Sequence, residues 1–294
     1  MNSQKTIRPA VCIPIHTSKL NKYEIISIRS HVYKLKDHDI FILIPESKKD
    51  RIVSVLKKNQ ISPDTYKIHQ VRDIYLSHSD NYQILMLSPK FYNFYKSYTH
   101  ILIAQMDAYT FSDQLISWCE KKWDYIGAPL FFNGHNWSND FWYGEGGGGV
   151  GGFSLRSIKK TLEVLNQNPT IYKFDDFILQ TKYYNFKGKF ILFLKYIATK
   201  VLRKDKLRKS FITSTLDKNL RRLYIYINED LCYSYYLPKY LSSFKVADFD
   251  DSIKFSIDGH VNESLEILDF VLPFGAHAWF TNQENLIAWD KYIN

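Results

Sequence analysis

The sequence is poor in cysteine and has no hydrophobic run long enough to cross a membrane. Its three cysteines, Cys12, Cys119 and Cys232, are widely spaced, which argues against a disulfide framework and matches no metal-ligand spacing. The first residues, MNSQKTIRPAVCIPIH, have no apolar core of signal-peptide length. No stretch reaches the roughly 18 uncharged apolar residues of a membrane span. We therefore expect a cytoplasmic protein.

Glycine and proline are also scarce, at 12 and 9 residues of 294, while charged residues make up 23%. This composition does not indicate disorder, and the length is ample for a sizeable core. The sequence shows neither an internal repeat nor a clean linker. We therefore expect residues 1–294 to form one domain.

Basic charge is concentrated in one segment. The formal net charge is +9, and residues 187–222 contain twelve Lys or Arg against two acids, so the rest of the chain is nearly neutral. Within this segment, residues 189–209 are predicted to form a basic amphipathic helix. Such a helix can contact an anionic membrane surface, although a solvated helix face is an equally good interpretation.

Apolar strands alternate with helical patterns in the first third of the chain. Buried strands are predicted at 10–16, 39–45 and 66–71, with helices at 22–35 and 47–59. This alternation predicts a parallel α/β sheet with crossover helices. Ligands of such sheets bind outside the carboxyl ends of the strands, where His16 and Pro45 are expected.

A further apolar strand, predicted at 100–109, runs into the polar residues Gln105 and Asp107. Residues two apart share one face of a strand, so both side chains are expected to project into the ligand crevice. A carboxylate there can hold a divalent cation that also binds diphosphate oxygens. The alternative is that Asp107 caps the following helix.

A long irregular segment, residues 131–152, is aromatic at first and then rich in glycine. A loop of this length is often a functional lid, and Gly151 and Gly152 lead into a strand that contains Arg156. No Lys-Ser/Thr pair follows the glycines, as a P-loop requires. The glycines are expected to let the backbone approach a ligand closely.

Two acidic pairs are candidates for a general base. Glu229 and Asp230 follow the apolar segment YIYI, which predicts that they lie at the end of a strand. Asp175 and Asp176 are the rival pair, within a helical pattern. His277 could be a metal ligand, although a lone histidine is more often structural.

Several segments in order along the chain resemble a family of bacterial glycosyltransferase-like domains. The family is associated with surface-polysaccharide synthesis, is related to galactofuranosyltransferases, and was long labelled only as a domain of unknown function. The matching segments are YQILMLSPKFYNFYKSYTHILIAQMDAYTFSDQLISWCEKKWDYIGAPLF, GGFSLR, NEDLCYSYYLP and PFGAHAWF.

The resemblance implies a GT-A fold, a Rossmann-type mixed α/β sheet flanked by helices. The basic segment 187–222 is expected to be a helical insertion in this domain, which the resemblance does not explain. The resemblance also implies a nucleotide-binding half at about 1–110 and an acceptor half at about 111–294. Gln105-Met106-Asp107 takes the place of an Asp-X-Asp metal motif, which leaves Asp107 as the sole carboxylate there. Mn²⁺ or Mg²⁺ is implied, with His277 completing the metal shell.

The same resemblance implies the catalytic and donor-binding residues. Asp230 is expected to be the general base and Glu229 to orient the acceptor. The donor, a nucleoside-diphosphate sugar, is expected to contact six residues: His16, Gln105, Asp107, Gly151, Gly152 and Arg156. The acceptor is expected to be a glycan or lipid-linked glycan.

Two other functions were weighed against sugar transfer. A nucleic-acid-binding protein would explain the positive charge and the aromatic excess. However, the basic segment and the aromatic loop are separate in the sequence, so we expect no nucleic acid. A non-catalytic glycan-binding protein would explain Gln105 in place of an acid.

Overall fold

The computed structural model describes residues 6–129, 149–181, 185–203, 206–207 and 228–293, with backbone alone for 179–181. Most of the predicted lid at 131–152 lies outside the described residues. So do the YIYI segment at 224–227 and most of the basic segment beyond residue 203.

Within these ranges, nine strands form two sheets. They are β1 (Pro9–Pro14), β2 (Asp39–Pro45), β3 (Lys67–Val71), β4 (His100–Ala104), β5 (Tyr109–Thr110), β6 (Tyr125–Ala128), β7 (Val150–Ser157), β8 (Ser256–Asp258) and β9 (Gly275–His277). The main sheet has the order β3-β2-β1-β4-β7-β6, and the small sheet has the order β5-β9-β8. Strands β1 to β4 are parallel, and β7 runs antiparallel to β4 and to β6.

Thirteen helices are described. They are α1 (Lys22–Lys34), α2 (Lys49–Lys58), α3 (Ser79–Met86), α4 (Pro89–Phe94), α5 (Leu115–Glu120), α6 (Ile158–Gln167), α7 (Phe174–Thr181), α8 (Phe186–Val201), α9 (Glu229–Leu231), α10 (Leu237–Tyr240), α11 (Phe249–Phe255), α12 (Val261–Ile267) and α13 (Gln283–Asp290). A π-helical turn, Cys232–Tyr236, joins α9 to α10. Short 3₁₀ turns lie at Glu46–Lys48, Pro63–Thr65 and Asp73–Leu76.

The main sheet is buried on both faces, which explains why its strands are continuously apolar. In β4, Ile101 and Ile103 belong to one hydrophobic cluster, and Leu102 belongs to the cluster on the other face. This alternation follows from the two-residue period of a strand. The predicted mixed α/β sheet flanked by helices is confirmed.

Local signals set several boundaries. Helix α1 begins after Asn21, whose side chain accepts from the backbone N–H of Glu24, while the Glu24 carboxylate accepts from the N–H of Asn21, a capping box. The segment between β3 and β4 forms two helices, α3 and α4. Pro89 causes the break, because it takes the first position of α4 and provides no N–H to continue α3.

Two other boundaries differ from the predictions. Strand β4 ends at Ala104, so Gln105 and Asp107 lie in a turn and do not share a strand face. Glu229 and Asp230 begin a helix. The predicted strand before them lies outside the described residues, and acidic residues suit the first turn of a helix.

The rival acidic pair has a structural position. Asp176 is fully buried, and its carboxylate pairs with Lys239 Nζ at 2.5 Å and accepts from the hydroxyl of Tyr240 and the N–H of Lys173. Asp175 is exposed. Asp176 therefore ties the start of α7 to α10.

We expect Asp176→Ala to lower the free energy of unfolding by about 3 kcal/mol, because it removes a buried carboxylate together with its ion pair to the half-buried Lys239 and two further hydrogen bonds. Asp175→Ala is the matched control and should have little effect, since that side chain is exposed. Urea denaturation of both variants measures the difference. Equal stability of the two variants would contradict this role for Asp176.

Candidate active site

A cleft of about 520 Å³ opens beside β1, at the point where the strand order of the main sheet reverses. Strand β1 lies between β2 and β4, and parallel sheets bind ligands outside the carboxyl ends of strands at such a point. The residues after β1 and β4 accordingly line the cleft: His16 comes from the first, and Gln105, Met106 and Asp107 come from the second. Tyr82 and His78 of the α3 region also line it.

The turn that carries Gln105 and Asp107 is held by backbone bonds. Ala108 N–H donates to the Gln105 carbonyl at 3.0 Å, and Gln105 N–H donates to the Gly152 carbonyl at 2.9 Å. The side chains of Gln105 and Asp107 are therefore placed by a turn that is bound to β7, and not by the alternation of side chains along a strand.

His31, which we did not single out in the sequence, also supports this turn. It is fully buried, with Nε2 3.2 Å from the Gln105 carbonyl and Nδ1 2.8 Å from Thr110 Oγ1. Burial lowers the pKa of His31 to about 4, so the ring is neutral at physiological pH and Nε2–H can donate to the carbonyl. In the sequence His31 is one residue of a helical pattern, which offers no signal of this role.

His277 lies between two carboxylates. Its Nε2 is 3.5 Å from Asp107 Oδ1, and its Nδ1 is 3.3 Å from Asp258 Oδ1. Burial lowers the pKa of His277, but the hydrogen bonds and charges of Asp107 and Asp258 outweigh burial and raise the pKa to about 10. Asp258 was missed in the sequence, because it lies in an ordinary strand-turn pattern and reaches the site only through the pairing of β8 with β9.

Gly151 and Gly152 pack directly against the other predicted site residues. A Cβ atom added to Gly151 would overlap the Asp230 carboxylate, and one added to Gly152 would overlap the imidazole of His277. A side chain at either position would therefore have to displace Asp230 or His277 from its place. The two glycines were predicted to approach a ligand, and in the structure they approach the side chains of the candidate base and metal ligand.

Arg156 lies beneath the acidic pair. Its side chain is 1% exposed, and Nη2 is 2.5 Å from Glu229 Oε1. The guanidinium also donates to Tyr92 Oη at 2.8 Å and to Ser154 Oγ. The predicted donor contact of Arg156 is untested, but a guanidinium at this depth holds Glu229 in place.

The two acids of the pair differ in environment. Glu229 is buried against Arg156, whereas Asp230 keeps part of its surface exposed. Burial and the negative charge of Glu229 raise the pKa of Asp230 well above its usual value, although Arg156 and His277 act in the opposite direction. Asp230 therefore holds a proton more tightly than an ordinary carboxyl group.

Asp107 and His277 are the two residues predicted to bind a divalent cation. Within the described residues, no group of three or more His, Cys, Asp or Glu side chains is arranged to hold a metal ion. Asp107 and Nε2 of His277 lie beside each other next to the cleft, and Nδ1 of His277 faces Asp258 instead. Mg²⁺ is commonly held by one or two carboxylates together with substrate phosphates, and Asp107 would supply one such carboxylate.

A family model described as "Protein of unknown function (DUF5672)" matches residues 65–277, well over half of the chain. The chain belongs to the DUF5672 family. No curated protein matches it. The matched range begins just before β3 and ends at His277, so it contains Asp107, Arg156, Glu229 and Asp230.

Solved structures similar to this DUF5672 protein include glycosyltransferases. An active-site mutant of LgtC is 11% identical, with 96% of this chain and 94% of that chain covered and a TM-score of 0.50. Mouse xyloside xylosyltransferase 1 is 11% identical, with 92% and 97% covered and a TM-score of 0.48. GlyE of Streptococcus pneumoniae TIGR4 is 12% identical, with 97% of this chain but 60% of that chain covered, and a TM-score of 0.46.

At this identity the likeness concerns the fold. The LgtC mutant, aligned over nearly the full length of both chains, supports a GT-A fold for this protein. The predicted relation to galactofuranosyltransferases and the role in surface-polysaccharide synthesis stay predictions.

The predicted site residues converge in three dimensions. His16, Gln105 and Asp107 line the cleft. Asp107 contacts His277, and the two glycines connect His277 to the acidic pair. Their roles stay predictions, but their proximity is a property of the fold.

We expect Arg156→Met to cost about 3–5 kcal/mol of unfolding free energy, because it leaves the Glu229 carboxylate buried without its cation. The double variant Arg156→Met with Glu229→Gln removes both charges and should be more stable than Arg156→Met alone. Urea denaturation of the wild type, both single variants and the double variant measures this coupling. Additive losses in the double variant would contradict a direct charge pair.

Proposed function

We propose that this protein is an inverting glycosyltransferase that uses a nucleoside-diphosphate sugar. A UDP-hexose is the candidate donor, with galactose or galactofuranose as candidate sugars, and a glycan or lipid-linked glycan is the candidate acceptor. The contact of Gly151 and Gly152 with Asp230 and His277 carries the proposal. Through this contact the candidate base, Asp230, lies close to the candidate metal ligand His277. His277 in turn contacts Asp107, which lines the cleft.

The cleft suits the donor. It opens at the carboxyl ends of β1 and β4, and Asp107 faces both the cleft and His277. In this proposal Asp107 and Nε2 of His277, after that nitrogen has lost its proton, would hold Mn²⁺ or Mg²⁺. The cation would offset the charge on the departing nucleoside diphosphate. His16 and Gln105 contact the donor from the two strand ends.

The acidic pair suits the acceptor side. Inverting transfer needs a carboxylate to take the proton of the attacking hydroxyl group. Asp230 is the partly exposed member of the pair and is proposed as that base. Glu229 is held by Arg156 and is proposed to orient the acceptor.

The raised pKa of Asp230 has a consequence for this role. The carboxylate form is the base, so the enzyme must lose a proton before it can act. The charge of a bound cation near His277 would favour that loss.

The proposed function also implies a division of the chain and a cellular location. We propose one catalytic domain, in which residues of about 1–110 hold the nucleotide and residues of about 111–294 contact the acceptor. The proposed setting is the cytoplasm, in the synthesis of bacterial surface polysaccharide.

We expect Asp230→Asn to abolish sugar transfer while nucleotide binding is retained, because the amide cannot take a proton. In the wild type, kcat should rise with pH through the raised pKa of Asp230, since deprotonation creates the base. Initial rates over a pH series, with product detected by mass spectrometry, measure both effects. Asp250→Asn, at an exposed position of α11, is the control and should leave the rate unchanged; transfer by Asp230→Asn at the wild-type rate would refute this role.

We expect UDP-sugars to raise the melting temperature more strongly with Mn²⁺ than without it, because a ligand that binds only the folded state stabilises that state. Asp107→Asn should remove the additional shift with Mn²⁺ by weakening the proposed ligand set. A thermal-shift screen of nucleotides and nucleotide sugars measures both. Equal shifts with and without Mn²⁺ would argue against the metal, whereas binding without transfer in the wild type would favour a non-catalytic glycan-binding protein.

A further inference from the structure

Helix α8 has an apolar stripe that faces away from the protein. Six large apolar residues, each at least 44% exposed, form the stripe: Phe186, Phe190, Phe193, Leu194, Ile197 and Val201. Their spacing of three, four and seven residues places them within about 100° of the helix circumference, at 100° per residue. We call these six residues the α8 stripe. Ile191 is also exposed but lies outside it.

The opposite side of the same helix packs on the protein. Leu192 and Thr199 are buried there, and Tyr196, between that side and the stripe, contacts Phe177 of α7. A surface helix normally buries its apolar face and exposes its polar face. Helix α8 instead exposes an apolar face, and exposed apolar patches of this kind mark interaction sites.

The charges beside the stripe select the kind of partner. Lys187 and Lys189 are exposed, and their positions on the helix lie just outside the two edges of the stripe. The sequence from residue 177 to residue 204 contains seven Lys or Arg and no acid. A second copy of this chain would bring like charges together across a shared stripe, whereas an anionic surface would be attracted to it.

The dimensions of α8 suit a helix that lies on a bilayer. Sixteen residues extend about 24 Å, which is shorter than the roughly 30 Å hydrocarbon core. Among the helices that the structure describes, none has the length and apolar character needed to cross a membrane. Aromatic and aliphatic residues on one face, with lysines at its edges, are the pattern of a helix in the membrane interface.

We propose that the α8 stripe binds the surface of an anionic lipid bilayer, with α8 parallel to the membrane plane. The six apolar side chains enter the boundary between headgroups and acyl chains, and Lys187 and Lys189 contact the headgroup phosphates. The sequence predicted membrane contact through charge, over residues 187–222. The structure adds an exposed apolar face, which begins at Phe186. This inference is independent of the proposed sugar transfer.

The test is co-sedimentation of the full-length protein with vesicles of phosphatidylcholine alone or in equal parts with phosphatidylglycerol. We expect binding to the mixed vesicles that weakens with added salt and is much weaker on phosphatidylcholine alone. The variant Phe190→Ser with Ile197→Ser should bind about tenfold less tightly or worse, because it removes two inserted apolar groups. Lys187→Glu with Lys189→Glu should also weaken binding to the mixed vesicles.

The matched control is Ile116→Ser with Ile287→Ser, since both residues are exposed helical isoleucines outside the stripe. It should bind vesicles as the wild type does. All variants should keep the wild-type melting temperature, because each replaces exposed side chains. Donor hydrolysis in solution, if the wild type shows it, should be unchanged in the stripe variant.

Three results would overturn the proposal. The first is absence of binding to the mixed vesicles, and the second is equal binding by the wild type and the stripe variant. The third is a dimer of the wild type in gel filtration that the stripe variant converts to a monomer, with no binding to vesicles. That result would assign the stripe to a second copy of the chain.

Discussion

The close approach of the β7 backbone to the side chains of Asp230 and His277 is the constraint on which the candidate site depends. Because residues 151 and 152 have no Cβ atoms, the acidic pair and the histidine can both reach the strand. The carbonyl of Gly152 also accepts from the N–H of Gln105. One two-residue segment therefore joins the cleft, the histidine and the carboxyl pair, and any side chain there would separate them.

The electrostatics of the site repeat one arrangement. His277 lies between Asp107 and Asp258, and Arg156 lies beneath the pair that begins α9. In each case one cation lies near two carboxyl groups. The group around His277 has two carboxylates and stays negative, whereas the charge of Arg156 is offset by Glu229 while Asp230 holds its proton. Such a cluster holds protons tightly and suits an added cation, which agrees with the raised pKa of Asp230 and of His277.

The positive net charge of the protein comes from a segment of the sequence that contains none of the candidate site residues. The excess of positive charge lies within residues 187–222, whereas the candidate site is acidic. In the part of that segment that the structure describes, helix α8 exposes apolar side chains as well as lysines. The six residues of the α8 stripe are exposed and apolar, so a membrane contact there would combine the hydrophobic effect with attraction between charges.

The sequence by itself determined the class of fold and most members of the candidate site. Strands of the parallel sheet are recognisable because they are buried on both faces, and a strand end followed by polar residues indicates the ligand crevice. Tertiary structure alone decided what these residues contact. Arg156 holds Glu229, Asp258 faces His277, and His31 supports the turn at Gln105. These contacts join residues far apart in the chain, and they depend on strand pairing and burial, which local periodicity does not encode.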